Sequence, residues 1–384
     1  MARFRSGNAI QSKIQMILFG NPFTGKSTMA LQSAYLKNPD GSPFKVLYLD
    51  PESGSVDDYL PTLAENGVDM RNILIAYTQS ITEVLEFIER AKNGEDFYIP
   101  DDDGNETDEV YLDSDGKPFR PDMIVVDGAS VLNLTTKTSI VEFSKKRAKV
   151  KAAAGLTGDE KFVKIEGAGM ELKDYQTVNF KGQELILDLM GSGKHYIVTA
   201  RETDEKITKE INGKEVTVAT GRKIPDGFKN MDYNAKTCIR MYRDEDDYTT
   251  VRAFVVKDRT GIHKAGDDIE DPSLLDYQDL IDKTSGNREF VIKNTIHEAI
   301  KTEERKYAEE IGVEQSENEN EPEENTNEAE VLRDKITGMI NSLSPVLKQK
   351  AKKAVADAGL PTAMRTVSDV KVLHQILKVV QDIG

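Results

Sequence analysis

The join between a short apolar run (Ile14, Met16, Ile17, Leu18, Phe19) and the segment Gly20-Asn21-Pro22-Phe23-Thr24-Gly25-Lys26-Ser27 constrains this chain more than any other feature. Two glycines bracketing four residues, followed by a lysine and a hydroxyl, form the pattern of a phosphate-binding loop set between a strand and a helix. Glycine lets backbone N–H groups close around phosphate oxygens, and the helix that starts there turns its N-terminus to the anion. The pattern predicts an ATP site made by Gly20, Asn21, Pro22, Phe23, Thr24, Gly25, Lys26, Ser27 and Thr28. Lys26 is aimed at the β and γ phosphates, and the Ser27 hydroxyl at Mg²⁺.

Beyond that loop the chain alternates between strand and helix. Residues 45–49 are an apolar strand that ends on Asp50-Pro51-Glu52, residues 55–65 a helix, 73–77 a strand, and 82–92 an amphipathic helix with Val84, Leu85 and Ile88 at helical spacing. Such alternation predicts an α/β fold with a mostly parallel sheet and helices on both faces. Residues 93–120 turn polar and acidic around two Asp-Gly pairs and predict an inserted surface hairpin. Met123-Ile124-Val125-Val126-Asp127 is a second signature, an apolar strand with a carboxylate at its end, which places Asp127 to hold Mg²⁺ beside Ser27. Gly128 comes next, so no second acid follows. A hydrolase needs a carboxylate that takes a proton from the attacking water, and Glu52 is the candidate, with Asp50 the fallback. The plain alternative is that both acids only begin a helix.

A phosphate loop, a strand ending Asp50-Pro51-Glu52, an aspartate strand without the second acid, and a later Lys257-Asp258-Arg259 after a strand resemble the RecA-like ATPases. The likeness is closest to the compact bacteriophage members that work with single-stranded DNA in recombination and annealing, and it covers residues 12–261. The resemblance implies that Glu52 activates water and that Lys257 and Arg259 reach the γ-phosphate of a neighbouring protomer. It implies a sensing role for Arg201, after the strand at 195–200, although an arginine merely paired with Glu202 reads equally well. It also implies that segments after the aspartate strand and after the next strand line a DNA channel.

The chain departs from that family in a long polar stretch, residues 130–181. It contains Ser144-Lys145-Lys146-Arg147-Ala148-Lys149-Val150-Lys151, five cations with no acid between them. Lys145, Lys146, Arg147, Lys149 and Lys151 can neutralise several phosphates, and because no aromatic residue interleaves them the contact expected is with DNA backbone and not with bases. A solvated helical face is the alternative. Further on, a short helix at 183–190, a hairpin around Asn212-Gly213, and two antiparallel strands at 237–242 and 249–256 extend the sheet and bring Lys257 and Arg259 to its edge.

Charge divides the chain sharply. Residues 309–330 hold ten glutamates and no cation, and residues 331–384 hold nine cations against four aspartates. Taking that −10 and that +5 from the net −16 leaves −11 on residues 1–308. The acidic tract is too polar to fold and predicts a flexible linker. The basic tail has three apolar-periodic segments and predicts an all-α three-helix unit that binds DNA or a phage or host replication or recombination protein, or else is only a self-packed cap. No apolar run approaches the twenty residues of a membrane span, and the first residues lack the apolar core of a signal peptide, which predicts a cytoplasmic protein with no membrane partner, in the host cytoplasm if a phage encodes it. The four histidines are scattered and Cys238 sits in an apolar stretch, so no protein metal site is expected.

These readings give a RecA-like P-loop core over 1–262, a helical extension over 263–308 with its main helix from 288, the linker at 309–330 and the basic unit at 331–384. They predict a Mg²⁺-dependent, DNA-dependent ATPase that self-associates into a ring or filament. One rival is a P-loop switch or assembly ATPase acting on a protein partner without DNA. Another is a small-molecule or nucleotide kinase, for which Arg201, Arg222 and Lys223 are too few and too scattered to make a phosphate lid.

Overall fold

The computed structural model describes residues 12–54, 56–101, 104–152, 158–211, 214–244, 246–283, 296–311, 332–333, 335–336, 339–340, 345–361, 367 and 369–381. The turn expected at 212–213, the acidic tract from 312 onward, the start of the helix expected from 288 and much of the first tail helix lie outside them. The molecule is α/β. Its elements run β1 (Gln15–Gly20), α1 (Lys26–Leu31), β2 (Val46–Leu49), α2 (Leu60–Glu65), β3 (Ile73–Ala76), α3 (Ile81–Asn93), β4 (Tyr98–Pro100), β5 (Glu106–Val110) and β6 (Met123–Asp127). Then come α4 (Ala129–Ala152), α5 (Gly158–Glu166), α6 (Leu172–Gly191), β7 (His195–Ile211), β8 (Lys214–Asp226), α7 (Met231–Asn234), β9 (Thr237–Arg243), β10 (Val251–Asp258), β11 (Asp268–Glu270), α8 (Gln278–Asp282) and α9 (Ile296–Ile311).

Nine strands form one sheet in the order β11-β10-β9-β1-β7-β6-β2-β3, with β8 paired to β7. β1, β2, β3, β6, β7 and β9 pair parallel, and β8, β10 and β11 supply the antiparallel part. Every residue of β1, β2 and β6 is buried, which is why each reads as an unbroken apolar run: a parallel strand is covered on both faces. The core joins Met16 and Leu18 of β1 to Tyr48, Val125, Ile197, Ile239 and, from α1, Met29 and Ala30.

Helix ends follow local chemistry. Ser80 accepts from the N–H of Glu83 to start α3, which buries Ile81, Val84 and Ile88, and Gly94 closes it in the left-handed conformation. α6 begins with a reciprocal Glu171–Asp174 capping box.

Three expectations change. Residues 129–191 are mostly helix, with α6 starting eleven residues before the short helix read at 183–190. β7 does not stop near residue 200; it continues to Ile211 and pairs with β8 as an exposed two-stranded ribbon, so Arg201 lies within the strand. β10 is not the sheet edge, because β11 pairs outside it at Arg252, Ala253 and Phe254.

Contacts divide the chain into one unit of Met1–Asp96 with Leu112–Ala299 and another of Phe97–Tyr111 with Ile300–Gly384. Within the second unit β4 and β5 pair antiparallel as a hairpin. In the second unit, helices Pro345–Asp357 and Val370–Gln381 pack Val355, Leu373, Ile376 and Val380 with Leu332 and Ile336 into a small apolar core. Among the described residues no helix is long and apolar enough to cross a membrane.

Candidate active site

β1 ends at Gly20, and the chain folds back over the sheet before α1. Gly20 is forced: a Cβ there would lie 1.9 Å from the carbonyl oxygen of Met241 on neighbouring β9. Gly25 caps α1 from the left-handed region, and Phe23 also takes a left-handed φ of 61° while 86% exposed. Two polar contacts hold this turn. Thr24 is buried and its hydroxyl donates to Asn21 O at 2.9 Å. Arg243 Nε donates to Phe23 O at 2.9 Å, while its Nη1 donates to Tyr248 O and Thr249 O, both at 3.0 Å.

The Lys26 ammonium lies on the turn itself. It donates to Asn21 O at 2.7 Å and to Gly20 O at 3.2 Å. Burial holds its pKa below the ordinary lysine value, and the charges of Asp127, Glu52 and Glu202 work against that burial. Those three carboxylates stand on β6, on the loop after β2 and on β7.

Asp127 ends β6 and is buried. Tyr48 Oη donates to its Oδ2 at 2.5 Å, and Thr199 Oγ1 donates to its Oδ1. Register produces this cluster, since Asp127 stands opposite Thr199 while Tyr48 faces Val125 on the other side. Burial, and then the Asp127 charge, push the Tyr48 hydroxyl far above its ordinary range. Tyr48, Asp127 and Thr199 thus form one hydrogen-bonded group.

The two acids after β2 divide their work. Asp50 is fully buried, and its carboxylate accepts from the N–H groups of Glu52 at 3.0 Å and Gly54 at 2.8 Å, so it folds the turn. Glu52 points outward, and Arg201 Nη2 lies 3.2 Å from its Oε1. Gly128, where a second acid was missing, has φ +133°, and a Cβ there would come within 2.9 Å of Glu52 Cγ. Glu52 occupies that space.

Arg201 and Glu202 do not pair with each other. Glu202 bonds Arg240 Nε at 2.8 Å, while the Arg201 N–H donates to Ser130 Oγ at 2.9 Å, and the Ser130 hydroxyl donates to Asp226 O on β8. The root of the exposed ribbon is therefore pinned beside Glu52.

The remaining candidates lie elsewhere. Lys257 and Arg259 leave the sheet at the end opposite Gly20, because Asp258 pairs with Thr237, which pairs with Met16 at the start of β1. Lys257 Nζ donates to the carbonyls of Asp232 at 2.5 Å and Tyr233 at 3.2 Å, anchoring the last turn of α7. Asp258 accepts from Thr260 N and Oγ1, His263 N and the Tyr277 and Thr237 hydroxyls, fixing the turn that leaves the Arg259 side chain exposed.

Lys145, Lys146, Arg147 and Lys149 sit on α4, as does Lys151, whose side chain lies outside the described residues. Partners absent from the run itself arrive from neighbouring helices: Lys145 pairs with Glu142 and with Glu166 of α5, and Arg147 pairs with Asp174 of α6 at 2.5 Å.

Sequence reading did not find Tyr48, Thr199, Ser130 or Arg243. Only Tyr48 carried a signal, as the one polar-tipped side chain in an apolar strand that ends in acids. Neither a protein-family scan nor a search of curated proteins returns a match to this chain.

Proposed function

We propose that this chain is a Mg²⁺-ATP-hydrolysing protein of the RecA-like kind, working on single-stranded DNA in phage recombination or replication with ATP at protomer interfaces. The observation that carries the reading is the convergence of Lys26, Asp127 and Glu52 at the carboxyl ends of β1, β6 and β2. Open α/β sheets take their ligands at that edge.

The residues present fit such a ligand. Gly20 has room only for hydrogen where β9 passes, and the half-buried Lys26 ammonium is a point charge that feels Asp127, Glu52 and Glu202. Bound Mg²⁺-ATP would supply the reactive phosphoryl group and the metal's charge. On the protein side, Gly20 to Thr28 would wrap the phosphates, Lys26 would meet their charge, and Ser27 together with Asp127, which Tyr48 and Thr199 hold in place, would take the metal. Glu52 is the one outward carboxylate of its turn and takes the proton from water.

Phe23 supports the interface. A bulky residue held left-handed and exposed is strained and poorly solvated alone, and a neighbouring protomer would cover it. Arg259, exposed at the far end of the sheet, is suited to a neighbour's nucleotide and not its own.

ATP turnover with and without single-stranded DNA at two salt concentrations tests the proposal. Stimulation that fades with salt, together with loss of turnover in a folded Lys26→Ala variant, is the expected result. Undiminished turnover in that variant overturns the nucleotide reading. One observation favours the rival, an ATPase that moves a protein partner: Lys145 and Arg147 are already ion-paired. A turnover rate indifferent to DNA at both salt concentrations would select that rival.

A further inference from the structure

The outer parts of α4 and α6, with α5 between them, form an arm whose apolar chemistry is inverted. Among the described residues from 137 to 177 no large apolar side chain is buried, and the only buried ones are Ser144 and Asp174. A polar tie holds the helices: Arg147 Nη2 donates to Asp174 Oδ2 and to Ser144 Oγ, and Ser144 Oγ lies 3.2 Å from Asp174. Phe143 (57%), Phe162 (67%) and Tyr175 (52%) are meanwhile left exposed.

A cation stands beside one of these rings. The Arg147 guanidinium lies 5.4 Å from the centre of the Phe143 ring. Lys145 reaches Glu166 on α5 at 3.3 Å, which brings the part of α4 that carries Lys146 and Lys149 to the helix that carries Phe162. Lys146 and Lys149 have no ion-pair partner among the described residues, and residues 137–177 hold nine cations against six acids in an otherwise acidic region.

We propose that this arm is a stacking platform for unpaired nucleobases: Phe143, Phe162 and Tyr175 lie against base faces while Lys146 and Lys149 follow the phosphates. This rests on the DNA reading above and sharpens it, because stacking selects single strands over duplex, whose bases are already stacked. It also replaces the sequence expectation of backbone contact alone. The aromatics absent from the basic run come from the residue just before it on α4 and from two other helices.

The test uses the full-length protein and fluorescence anisotropy with a labelled single strand, the same length of abasic sugar-phosphate, and a duplex. Wild type should bind the ordinary strand at least about tenfold tighter than the abasic one, since each stacked base contributes measurably. Phe143→Leu/Phe162→Leu/Tyr175→Leu keeps apolar bulk without the π face, and should bind both strands equally with an unchanged salt slope. Lys146→Ala/Lys149→Ala should keep the preference and flatten the slope. Circular dichroism checks that both variants are folded. Equal binding of ordinary and abasic strands by wild type, or a preference that survives the leucine variant, overturns the platform while leaving DNA binding intact. Failure to bind any strand, with or without binding to anionic phospholipid vesicles, overturns the DNA reading as well.

Discussion

Arg201 meets Glu52 at 3.2 Å, and the same arginine's backbone is tied through Ser130 to Asp226 on the exposed β7–β8 ribbon. One residue therefore touches the proposed general base and the root of a ribbon whose outer strand is mostly exposed. Both side chains of the pair are well exposed, so the ion pair itself contributes no more than about 1 kcal/mol. Arg201→Ala should leave the melting temperature within a few degrees of wild type. It should lower DNA-stimulated ATP turnover more than DNA-free turnover, because it removes a link and not a reacting group. Equal losses in both assays would remove the sensing role.

Glu52→Gln should retain ATP binding and lose turnover by at least about 10²-fold, since the amide keeps the shape but takes no proton. Asp50→Asn has a different signature. Its carboxylate holds the N–H groups of Glu52 and Gly54, so the substitution should loosen the turn, lowering stability along with turnover. If Asp50→Asn abolishes turnover with stability unchanged and Glu52→Gln does not, the base is Asp50.

Gly128→Ala should disturb Glu52 without touching a phosphate contact. The new Cβ would sit 2.9 Å from Glu52 Cγ at a φ that side chains rarely adopt, and strain of this kind costs about 1–3 kcal/mol. Turnover should fall while ATP affinity stays near wild type. Equal falls in both would mean that Gly128 supports the phosphate turn and not the carboxylate.

How far the sequence reveals the molecule depends on whether a signal is local. β1, β2 and β6 announce themselves because strands buried on both faces leave unbroken apolar runs, and α3 because its buried residues repeat every turn. α4 hides, since it buries one side only in its first turns and carries no continuous apolar stripe. The outer ribbon hides for a related reason: with both faces in solvent, nothing alternates. In the site, Lys26, Ser27, Asp127 and Glu52 belong to contiguous patterns. Tyr48, Thr199 and Ser130 gain their roles only when β2, β6 and β7 come into register, information spread over some 150 residues.

Acid should loosen the helical arm before the sheet. The hydrogen bond from Arg147, then one from the Glu171 N–H, hold the Asp174 carboxyl down at about 2, below the usual carboxylate range. A lowered folded pKa adds stability that is present above the unfolded value and lost as pH falls, here from about 4 toward about 2. Protection of α4 and α6 amides, corrected for the intrinsic exchange rate at each pH, should fall over that interval while β1 and β6 stay protected. Asp174→Asn should show the lower protection at neutral pH with little further change on acidification. An arm whose protection in the variant still tracks acid would place the sensitive group elsewhere.

Reach decides the role of Arg259. Met16, near the start of β1, and Gly20 at its end lie about 13 Å apart at the rise of a strand, and Arg259 leaves the sheet beyond the Met16 end. An arginine side chain cannot cover that distance to its own Lys26, so a rate effect of Arg259 must come from a second protomer. Arg259→Ala should bind ATP nearly normally and hydrolyse it poorly, by as much as about 10³-fold if the guanidinium meets charge building on the γ-phosphate oxygens. Lys257→Ala should instead lower stability, because that ammonium holds the carbonyls of Asp232 and Tyr233. Mixing separates the possibilities. A Glu52→Gln protein still carries Arg259, so adding it to Arg259→Ala should build interfaces that join a working Glu52 to a borrowed arginine, and turnover should return. If the two proteins co-assemble and no turnover returns, Arg259 is not supplied between protomers, and the placement of the active site at an interface falls with it.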